Sequence, residues 1–256
     1  MSQMRVLVTG GTSGIGKSIV ERLCGDRHAV AFTGRSRERG ALVAAATGAT
    51  FLYADLADPA SGETTAAQTA AAFGGVDALV HNAGVDHEGP LSQTTDDAWD
   101  TLVEVNLLAA LRQVQGALPH LRASPEASIT IVSSDAGLWP EVGVAAYSVV
   151  KRAVLMLGQM LAVTSGADGI RVNVVCPGDI APGMRSTASG YGATGDVSDW
   201  YVPPLGRIGE PDDVAGAVAF LLSTDAAFCT GVALPVDGGM RASTAVVDRE
   251  CEATRP

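Results

Sequence analysis

The chain has 256 residues, of which 47% are hydrophobic, so it is long enough to bury a sizeable core. Its formal net charge is −11 and its basic residues form no cluster, which argues against nucleic acid and anionic membranes as partners. The four cysteines are scattered, which predicts reduced thiols. The sequence shows no signal peptide and no apolar run of ~20 residues, so we expect a cytoplasmic protein.

Short apolar runs alternate with longer helical stretches along the whole chain. The predicted strands are Met4–Thr9, His28–Thr33, Thr50–Ala54, Asp77–His81, Ser128–Ser133, Ile170–Val175 and Val232–Val236. The predicted helices are Gly14–Cys24, Arg37–Ala46, Ser61–Phe73, Asp96–Leu121, Val144–Ser165 and Pro211–Leu222. This alternation predicts an α/β fold, a doubly wound parallel sheet of about seven strands with helices on both faces.

No linker, repeat or low-complexity break divides the chain. We therefore predict one domain over residues 1–241 that both binds a dinucleotide and carries the catalytic groups. A segment rich in Gly, Ser and Thr interrupts the pattern late, and we expect residues 183–202 to form a substrate lid, because long irregular segments in compact domains tend to be binding loops. Residues 242–256 are expected to form a C-terminal tail with a tendency to disorder.

The first predicted strand runs into a glycine-rich turn, Thr9–Gly16. Glycines let the backbone turn sharply there, and the N-terminus of the following helix offers free N–H groups to a pyrophosphate. The alternative is an ordinary tight turn, but its place after the first strand of an α/β chain favours a cofactor site. The predicted cofactor contacts in this turn are Gly10, Thr12, Ser13, Gly14, Ile15 and Gly16.

The end of the second predicted strand distinguishes between the two nicotinamide dinucleotides. An acidic residue there would hold the ribose 2′-hydroxyl of NAD, but this chain has Gly34 followed by Arg35. A guanidinium is well shaped to bind a 2′-phosphate, so we predict NADPH/NADP as the cofactor, with NAD as the alternative. A solvated basic loop is the other interpretation of Arg35.

A tyrosine and a lysine lie four residues apart, at Tyr147 and Lys151, and Ser134 precedes the tyrosine by thirteen residues. An i, i+4 pair shares one face of a helix, and an ammonium beside a phenol favours the phenolate. A tyrosine tuned in this way can transfer a proton near neutral pH. The Tyr-x-x-x-Lys pattern alone is common on amphipathic helices, so it indicates a catalytic pair only in combination with other motifs of the chain.

Taken together, these motifs resemble the short-chain dehydrogenase/reductase family, from Met4 to about Arg241. Further matching elements are Asp55-Leu56, the run His81-Asn82-Ala83-Gly84, Asn106, and Cys176-Pro177-Gly178, followed by Gly206–Pro211 and Val236–Gly239. The resemblance implies a Rossmann-like fold and an NAD(P)-dependent enzyme that acts on CH–OH groups. It also implies further cofactor contacts at Asp55, Leu56, Asn82, Ala83, Gly84, Tyr147, Lys151, Pro177, Gly178 and Ile180.

The resemblance assigns roles to four residues. Tyr147 would be the general acid or base, Lys151 would lower its pKa and bind the nicotinamide ribose, and Ser134 would donate a hydrogen bond to the substrate oxygen. Asn106 would hold a water that links Lys151 to solvent. The resemblance further implies a homotetramer, or a homodimer, built partly on the helices Asp96–Leu121 and Val144–Ser165.

One departure from the family pattern stands near the nicotinamide, and the substrate contacts are the least defined part of the site. Family members often carry a threonine where this chain has Pro182, which has neither a hydroxyl nor an N–H donor. Candidate substrate contacts are Trp139, Arg185, Trp200 and Tyr201. No histidine or cysteine spacing indicates a metal site.

These patterns predict an NADP(H)-dependent ketoreductase that interconverts a small ketone or aldehyde with its alcohol. The alternatives are an NAD-dependent alcohol dehydrogenase and a catalytically silent cofactor-binding protein. A sugar-nucleotide epimerase is a further alternative, but it would usually carry a separate substrate domain.

Overall fold

A computed structural model describes residues 3–141, 143–181 and 203–242. Its centre is a seven-stranded sheet in which every neighbouring pair is parallel, in the order β3-β2-β1-β4-β5-β6-β7. The strands are β1 Arg5–Thr9, β2 Ala29–Gly34, β3 Thr50–Tyr53, β4 Ala78–His81, β5 Ser128–Val132, β6 Arg171–Pro177 and β7 Ala233–Val236. The predicted α/β fold is confirmed: it is a Rossmann-like doubly wound sheet.

Helices cover both faces of this sheet. They are α1 Gly14–Gly25, α2 Arg37–Thr47, α3 Ser61–Phe73, α4 Asp96–Leu102, α5 Ala109–Leu121, α6 Asp135–Leu138, α7 Ala145–Ser165 and α8 Pro211–Leu222. Successive strand residues point to opposite faces, so Val6 and Val8 pack with the helices α1 and α8, while Leu7 packs with α3, α5 and α7. The strands read as nearly continuous apolar runs because both faces are buried.

The strand order places the candidate site. Strand numbering runs outward in one direction from β1 to β3 and in the other from β4 to β7, so the order reverses between β1 and β4. In open parallel sheets, ligands bind at such a reversal, beyond the carboxyl ends of the strands. The segments that follow β1 and β4 carry the glycine-rich turn and the run Asn82-Ala83-Gly84, both of which the sequence predicted as cofactor contacts.

Two local features differ from the sequence-based expectation. The predicted continuous helix Asp96–Leu121 is interrupted by a π-helical turn, Val103–Leu108. The side-chain amide of Asn106 donates to the carbonyl oxygens of Leu102 and Val85, at 3.0 Å each, and so disturbs the regular helical pattern there. The short helix α6 was not predicted at all. A four-residue helix has too few residues to show a periodic pattern.

The long helix α7, extended by its last turn to Asp168, has a mean hydropathy of 1.3 and the length to cross a membrane. Half of this stretch is buried inside the protein, against β6 and its neighbours. Its apolar character is therefore explained by the core that it helps to form, as in the central helix of an α/β fold.

At the opposite edge of the sheet, Asp77 ties the start of β4 to β1. Its carboxylate accepts hydrogen bonds from the backbone N of Arg5 at 2.8 Å, from the Arg5 guanidinium at 2.8 and 2.6 Å, and from Ser124 Oγ at 2.7 Å. Burial raises the pKa of Asp77, but the hydrogen bonds from Arg5 outweigh it and hold the value at about 2.

We expect Asp77→Asn to lower the free energy of unfolding by about 1–3 kcal/mol, because the partly exposed Arg5 guanidinium loses its charged partner and the charge-assisted hydrogen bonds of a buried carboxylate are lost. In the wild type, this contribution is present above the unfolded pKa and is lost as the pH falls from about 4 through about 2. Urea denaturation at neutral and acid pH measures both effects. The matched control is Asp168→Asn, which breaks the exposed Arg122 pair and should cost less than about 1 kcal/mol. Equal losses in the two variants would contradict this assignment.

Candidate functional site

The turn between β1 and α1 brings its backbone to the carboxyl edge of the sheet. Gly10 and Gly14 have φ values of +69° and +51°, which only glycine adopts readily. A side chain on Gly16 would overlap the carbonyl oxygen of Gly10, so the turn closes tightly on the helix. Ser13 is extended and its side chain caps no amide of a described residue, so the first N–H groups of α1 stay available to an anion.

Residues from the end of β4 hold this turn in place. Asn82 Nδ2 donates to the carbonyl oxygens of Thr9 and Gly10, at 3.2 Å each. Thr9 Oγ1 in turn accepts from the backbone N of Asn82 at 3.0 Å and of Ala83 at 3.1 Å. Asn82 and Ala83 therefore build the floor of the turn across the point where the strand order reverses. The supporting role of Thr9 was not predicted from the sequence, because its partner lies 73 residues away.

The end of β2 has no room for a side chain at position 34. A Cβ on Gly34 would overlap the side chain of Thr12 in the neighbouring turn. Arg35 is exposed at the same edge of the sheet, and Arg37 stacks on Tyr53 with its guanidinium carbon 4.1 Å from the ring centroid. This corner of the site is therefore basic, and an acidic side chain at position 34 would require Thr12 to move.

The predicted contacts after β3 and β6 line the same edge. Asp55 is exposed and accepts from the backbone N of Ala57 at 3.1 Å, while Leu56 is buried beneath it. Pro177 ends β6, and Gly178 N donates to Val236 O at 3.0 Å. Ile180 forms an isolated parallel bridge with Gly209. Apart from Tyr147 and Lys151, which lie on α7, the predicted cofactor contacts in the described residues thus lie at or just after the carboxyl ends of strands.

Lys151 lies at the centre of the site. It is 4% exposed, its Nζ donates to Val132 O at 3.3 Å, and it lies 5.5 Å from the centroid of the Tyr147 ring. Burial lowers its pKa to about 8, although nearby Cys176 acts in the opposite direction. The ammonium is thus close to its titration range near neutral pH, as in many functional sites.

Gly84 and Asn106 complete the surroundings of this lysine. A Cβ on Gly84 would stand 2.6 Å from Asn106 Oδ1 and 3.3 Å from Lys151 Nζ, so only glycine fits between them. Asn106 Oδ1 accepts from the backbone N of Val85 at 3.2 Å. The structure therefore brings Gly84, Asn106 and Lys151 together from three separate parts of the chain.

The structure separates the two serines at the end of β5. Ser133 is buried, and its hydroxyl donates to Lys151 O at 2.8 Å, which joins the strand to α7. Ser134 is half-buried and caps α6, where its Oγ accepts from Ala136 N at 3.2 Å. The bond to Lys151 accounts for Ser133, so Ser134, which the spacing to Tyr147 predicted, stays the candidate catalytic serine. It also has the capping role that a serine at a strand end often takes.

A buried carboxyl beside Ser134 was not among the predicted site residues. Asp135 accepts from Ser134 Oγ at 3.2 Å on one oxygen and pairs with Arg241 on the other, at 3.1 Å. No local sequence pattern indicates it, because its partner Arg241 lies 106 residues away. Burial raises the pKa of Asp135 to about 6; the positive charge of Arg241 lowers it, and Glu141 and Asp179 raise it further.

The predicted substrate contacts are only partly described. Trp139 follows α6 and is 56% exposed, so its ring is available for contact with a ligand. Arg185, Trp200 and Tyr201, the predicted lid 183–202 and Pro182 lie outside the described residues. Among the described residues, no group of three or more His, Cys, Asp or Glu side chains could hold a metal ion.

Comparisons with known proteins agree with this arrangement. A family model described as enoyl-(acyl carrier protein) reductase matches residues 10–241. The dehydrogenase LinX of Sphingobium indicum, named for 2,5-dichloro-2,5-cyclohexadiene-1,4-diol, is 33% identical over 91% of this chain and 94% of its own length. The 3-oxoacyl-[acyl-carrier-protein] reductase FabG of Escherichia coli is 34% identical over 91% of this chain and 96% of its own.

A solved structure shows the same fold with a dinucleotide bound. It is a blue fluorescent protein from a metagenomic library in complex with NADPH, 34% identical to this chain. The two structures superimpose with a TM-score of 0.82 over 92% of this chain and 96% of the other. The likeness therefore extends over the whole sheet and its helices.

Proposed function

This chain belongs to the short-chain dehydrogenase/reductase family and is an oxidoreductase that depends on a nicotinamide dinucleotide, and we propose that it is a ketoreductase. In this reaction, a neutral organic ketone or aldehyde is reduced to its alcohol with NADPH. The observation that carries the proposal is the buried Lys151 ammonium 5.5 Å from the centroid of the Tyr147 ring and close to Asn106 and Gly84, in a sheet whose first turn suits a pyrophosphate. We assign residues 1–241 to a single domain that both binds the dinucleotide and carries the catalytic groups.

The cofactor is NADP(H), and the described residues fit it. The free N–H groups at the start of α1 suit a pyrophosphate, and the closure of Gly16 on Gly10 lets the ligand approach the backbone. Arg35 is exposed where it would bind a 2′-phosphate, while the acidic side chain that would select NAD would require Thr12 to move if it stood at position 34. When bound, the reduced nicotinamide supplies the hydride.

Tyr147 is proposed as the proton donor to the carbonyl oxygen of the substrate. The ammonium of Lys151 lies 5.5 Å from the centroid of its ring, and a positive charge this near favours the phenolate that remains after the proton has left. Lys151 must carry its proton to do this. Because burial places the pKa of Lys151 at about 8, ketone reduction should decline as the pH rises through about 8.

Ser134 and Asn106 have supporting roles in the proposal. The hydroxyl of Ser134 would donate to the same carbonyl oxygen and stabilise the negative charge that develops there. Asn106 is fixed at the π-helical turn, with its Oδ1 beside Gly84 and Lys151, where it would position a water that returns protons to the lysine. Both roles depend on side chains that the fold holds rigidly.

The substrate is proposed to be neutral or weakly polar. Trp139 offers an exposed apolar surface, and the lid sequence ends in Trp200 and Tyr201 with Arg185 as its basic residue. If the substrate carries a carboxylate, Arg185 is the residue that would bind it. Cys24, Cys176 and Cys229 are free thiols, in keeping with a cytoplasmic enzyme.

We also propose that the chain forms a homodimer, or a homotetramer built from two dimers, through α7. Four apolar side chains lie exposed at helical spacing along this helix: Val149, Met156, Met160 and Val163. A contiguous exposed apolar stripe of this kind indicates a protein interface. A second copy of the same helix would cover it by two-fold symmetry.

We expect Tyr147→Phe to lower kcat by about 100-fold or more, because the proton donor is lost. NADPH should still bind, since the ring remains in place and only the hydroxyl is lost. Steady-state assays with diacetyl, ethyl acetoacetate and cyclohexanone, combined with fluorescence titration by NADPH, measure both. The matched control is Tyr53→Phe, which removes a phenol far from Lys151. If neither variant alters turnover, Tyr147 is not the proton donor and a cofactor-binding protein becomes the better interpretation.

We expect Arg35→Ala to raise the Kd for NADPH by about ten- to a hundredfold and to leave NADH binding unchanged, because only NADPH carries the 2′-phosphate. Tryptophan-fluorescence titrations with the two dinucleotides measure this directly. The control Arg122→Ala removes a guanidinium at the far end of α5. An equal effect on both dinucleotides would contradict the role of Arg35 and favour NAD.

We expect the double variant Met156→Asp and Val163→Asp to lower the molar mass in solution, because charges would be buried in the proposed interface. Light scattering after size-exclusion chromatography measures the mass. The control Leu42→Asp places the same charge on an exposed apolar residue of α2 and should leave the mass unchanged. An unaltered mass in both proteins would remove α7 as the interface.

A further inference from the structure

The hydroxyl of Ser134 is already committed to a partner within the protein. Its Oγ accepts from Ala136 N and donates to Asp135 Oδ1, both at 3.2 Å. A serine hydroxyl has one hydrogen to donate and two lone pairs. A ketone oxygen can only accept, so it must compete with Asp135 for that single hydrogen.

The other oxygen of Asp135 is fixed from the far end of the chain. Oδ2 accepts from Arg241 Nε at 3.2 Å and lies 3.1 Å from its second guanidinium nitrogen, which is also 3.6 Å from Glu141 Oε2. The backbone of Arg241 is held in turn, because its N donates to Asp237 Oδ2 at 2.9 Å. The carboxyl therefore presents one oxygen to a cation and the other to Ser134.

We propose that Asp135 is a positioning residue that decides where the Ser134 hydroxyl points, an inference that rests on the proposed ketoreductase function. When Asp135 is ionised, Ser134 donates to Oδ1 in a charge-assisted hydrogen bond. When Oδ1 is protonated, the new O–H donates to the remaining lone pair of Ser134 Oγ, and the serine hydrogen turns to the ketone. Oδ1 takes the proton, because Oδ2 faces the Arg241 cation.

The proton on Asp135 does not enter the reaction. It comes from solvent, forms an O–H bond at Oδ1 and returns to solvent, while Tyr147 supplies the proton that the substrate gains. Ser134 keeps its own hydrogen in both arrangements. The effect of Asp135 is therefore on the strength of the hydrogen bond to the carbonyl oxygen, which controls the stabilisation of the developing negative charge.

The surroundings of Asp135 place this change within the working pH range. The charged or titratable groups near its carboxyl are Arg241, Glu141, Asp179, Asp237 and Cys176. Burial raises the pKa of Asp135 to about 6, and the Cys176 thiol stays neutral because burial raises its pKa to about 12. Asp135 is protonated below its pKa, so reduction should accelerate as the pH falls through about 6.

The test is the pH dependence of kcat/KM for reduction of a neutral ketone, the best substrate among diacetyl, ethyl acetoacetate and cyclohexanone. The wild type should show a step of about two- to tenfold near pH 6. It should show a further decline near pH 8 from Lys151. Asp135→Asn should lose the lower step and keep the upper one, because an amide does not titrate and its NH₂ donates to Ser134 at every pH. Between the two steps, the variant should be faster than the wild type.

A second variant keeps the test decisive if Asp135→Asn folds poorly. Glu141→Gln leaves the contact between Ser134 and Asp135 intact but removes a negative charge that raises the pKa of Asp135. Its lower step should remain and move to lower pH. A lower step that persists in Asp135→Asn, or that stays in place in Glu141→Gln, would overturn the inference.

The failure of this inference can be told from the failure of the proposed function. If the ketones are reduced and Tyr147→Phe abolishes turnover, but the variants share the wild-type step, only the role of Asp135 is wrong. If no ketone of the panel is reduced with NADPH, the ketoreductase proposal fails, and the role of Asp135 fails with it.

Discussion

Parallel pairing of seven strands is the constraint on which the rest of this structure depends. Because every strand runs in the same direction, every carboxyl end arrives at one edge of the sheet. The order reverses between β1 and β4, so the helices that follow these strands turn to opposite faces and leave a crevice between them. Gly16 and Asn82 meet there, although the helices α1, α2 and α3 separate them in the chain. The chemistry of this enzyme is thus located by topology before any side chain is considered.

The crevice holds polar groups that a core would normally exclude. Lys151 is a buried ammonium with a lowered pKa, and Asp135 is a buried carboxyl with a raised one. Burial disfavours the charged form of each group, so both titrate closer to neutral pH than they would in water. The fold tolerates this cost because the apolar strands and helices around the site supply the stability. The opposite edge of the sheet shows the contrast, since Asp77 there is fully paired with Arg5.

Glycines allow this crevice to be narrow. The space between Asn106 and Lys151 at Gly84 is too small for a side chain, and Gly34 lies directly against Thr12. Each close approach joins segments that are distant in sequence. A π-helical turn presents Asn106 to the same place, at the point where a regular helix would have rotated it away. The site is therefore shaped as much by where side chains are absent as by those that are present.

The sequence alone determined the alternation of strands and helices, because apolar periodicity and glycine turns are local signals. It also located the glycine-rich turn, the missing acid before Arg35, and the spacing of Ser134, Tyr147 and Lys151. It could not show the break at Asn106 or the short helix α6, since both result from contacts with other elements. Only the tertiary structure showed that the adjacent Ser133 is bound to the backbone of Lys151, and that Arg241 reaches Asp135 beside Ser134. These last facts depend on groups far apart in the chain, and no local pattern records a contact that forms only when the sheet closes.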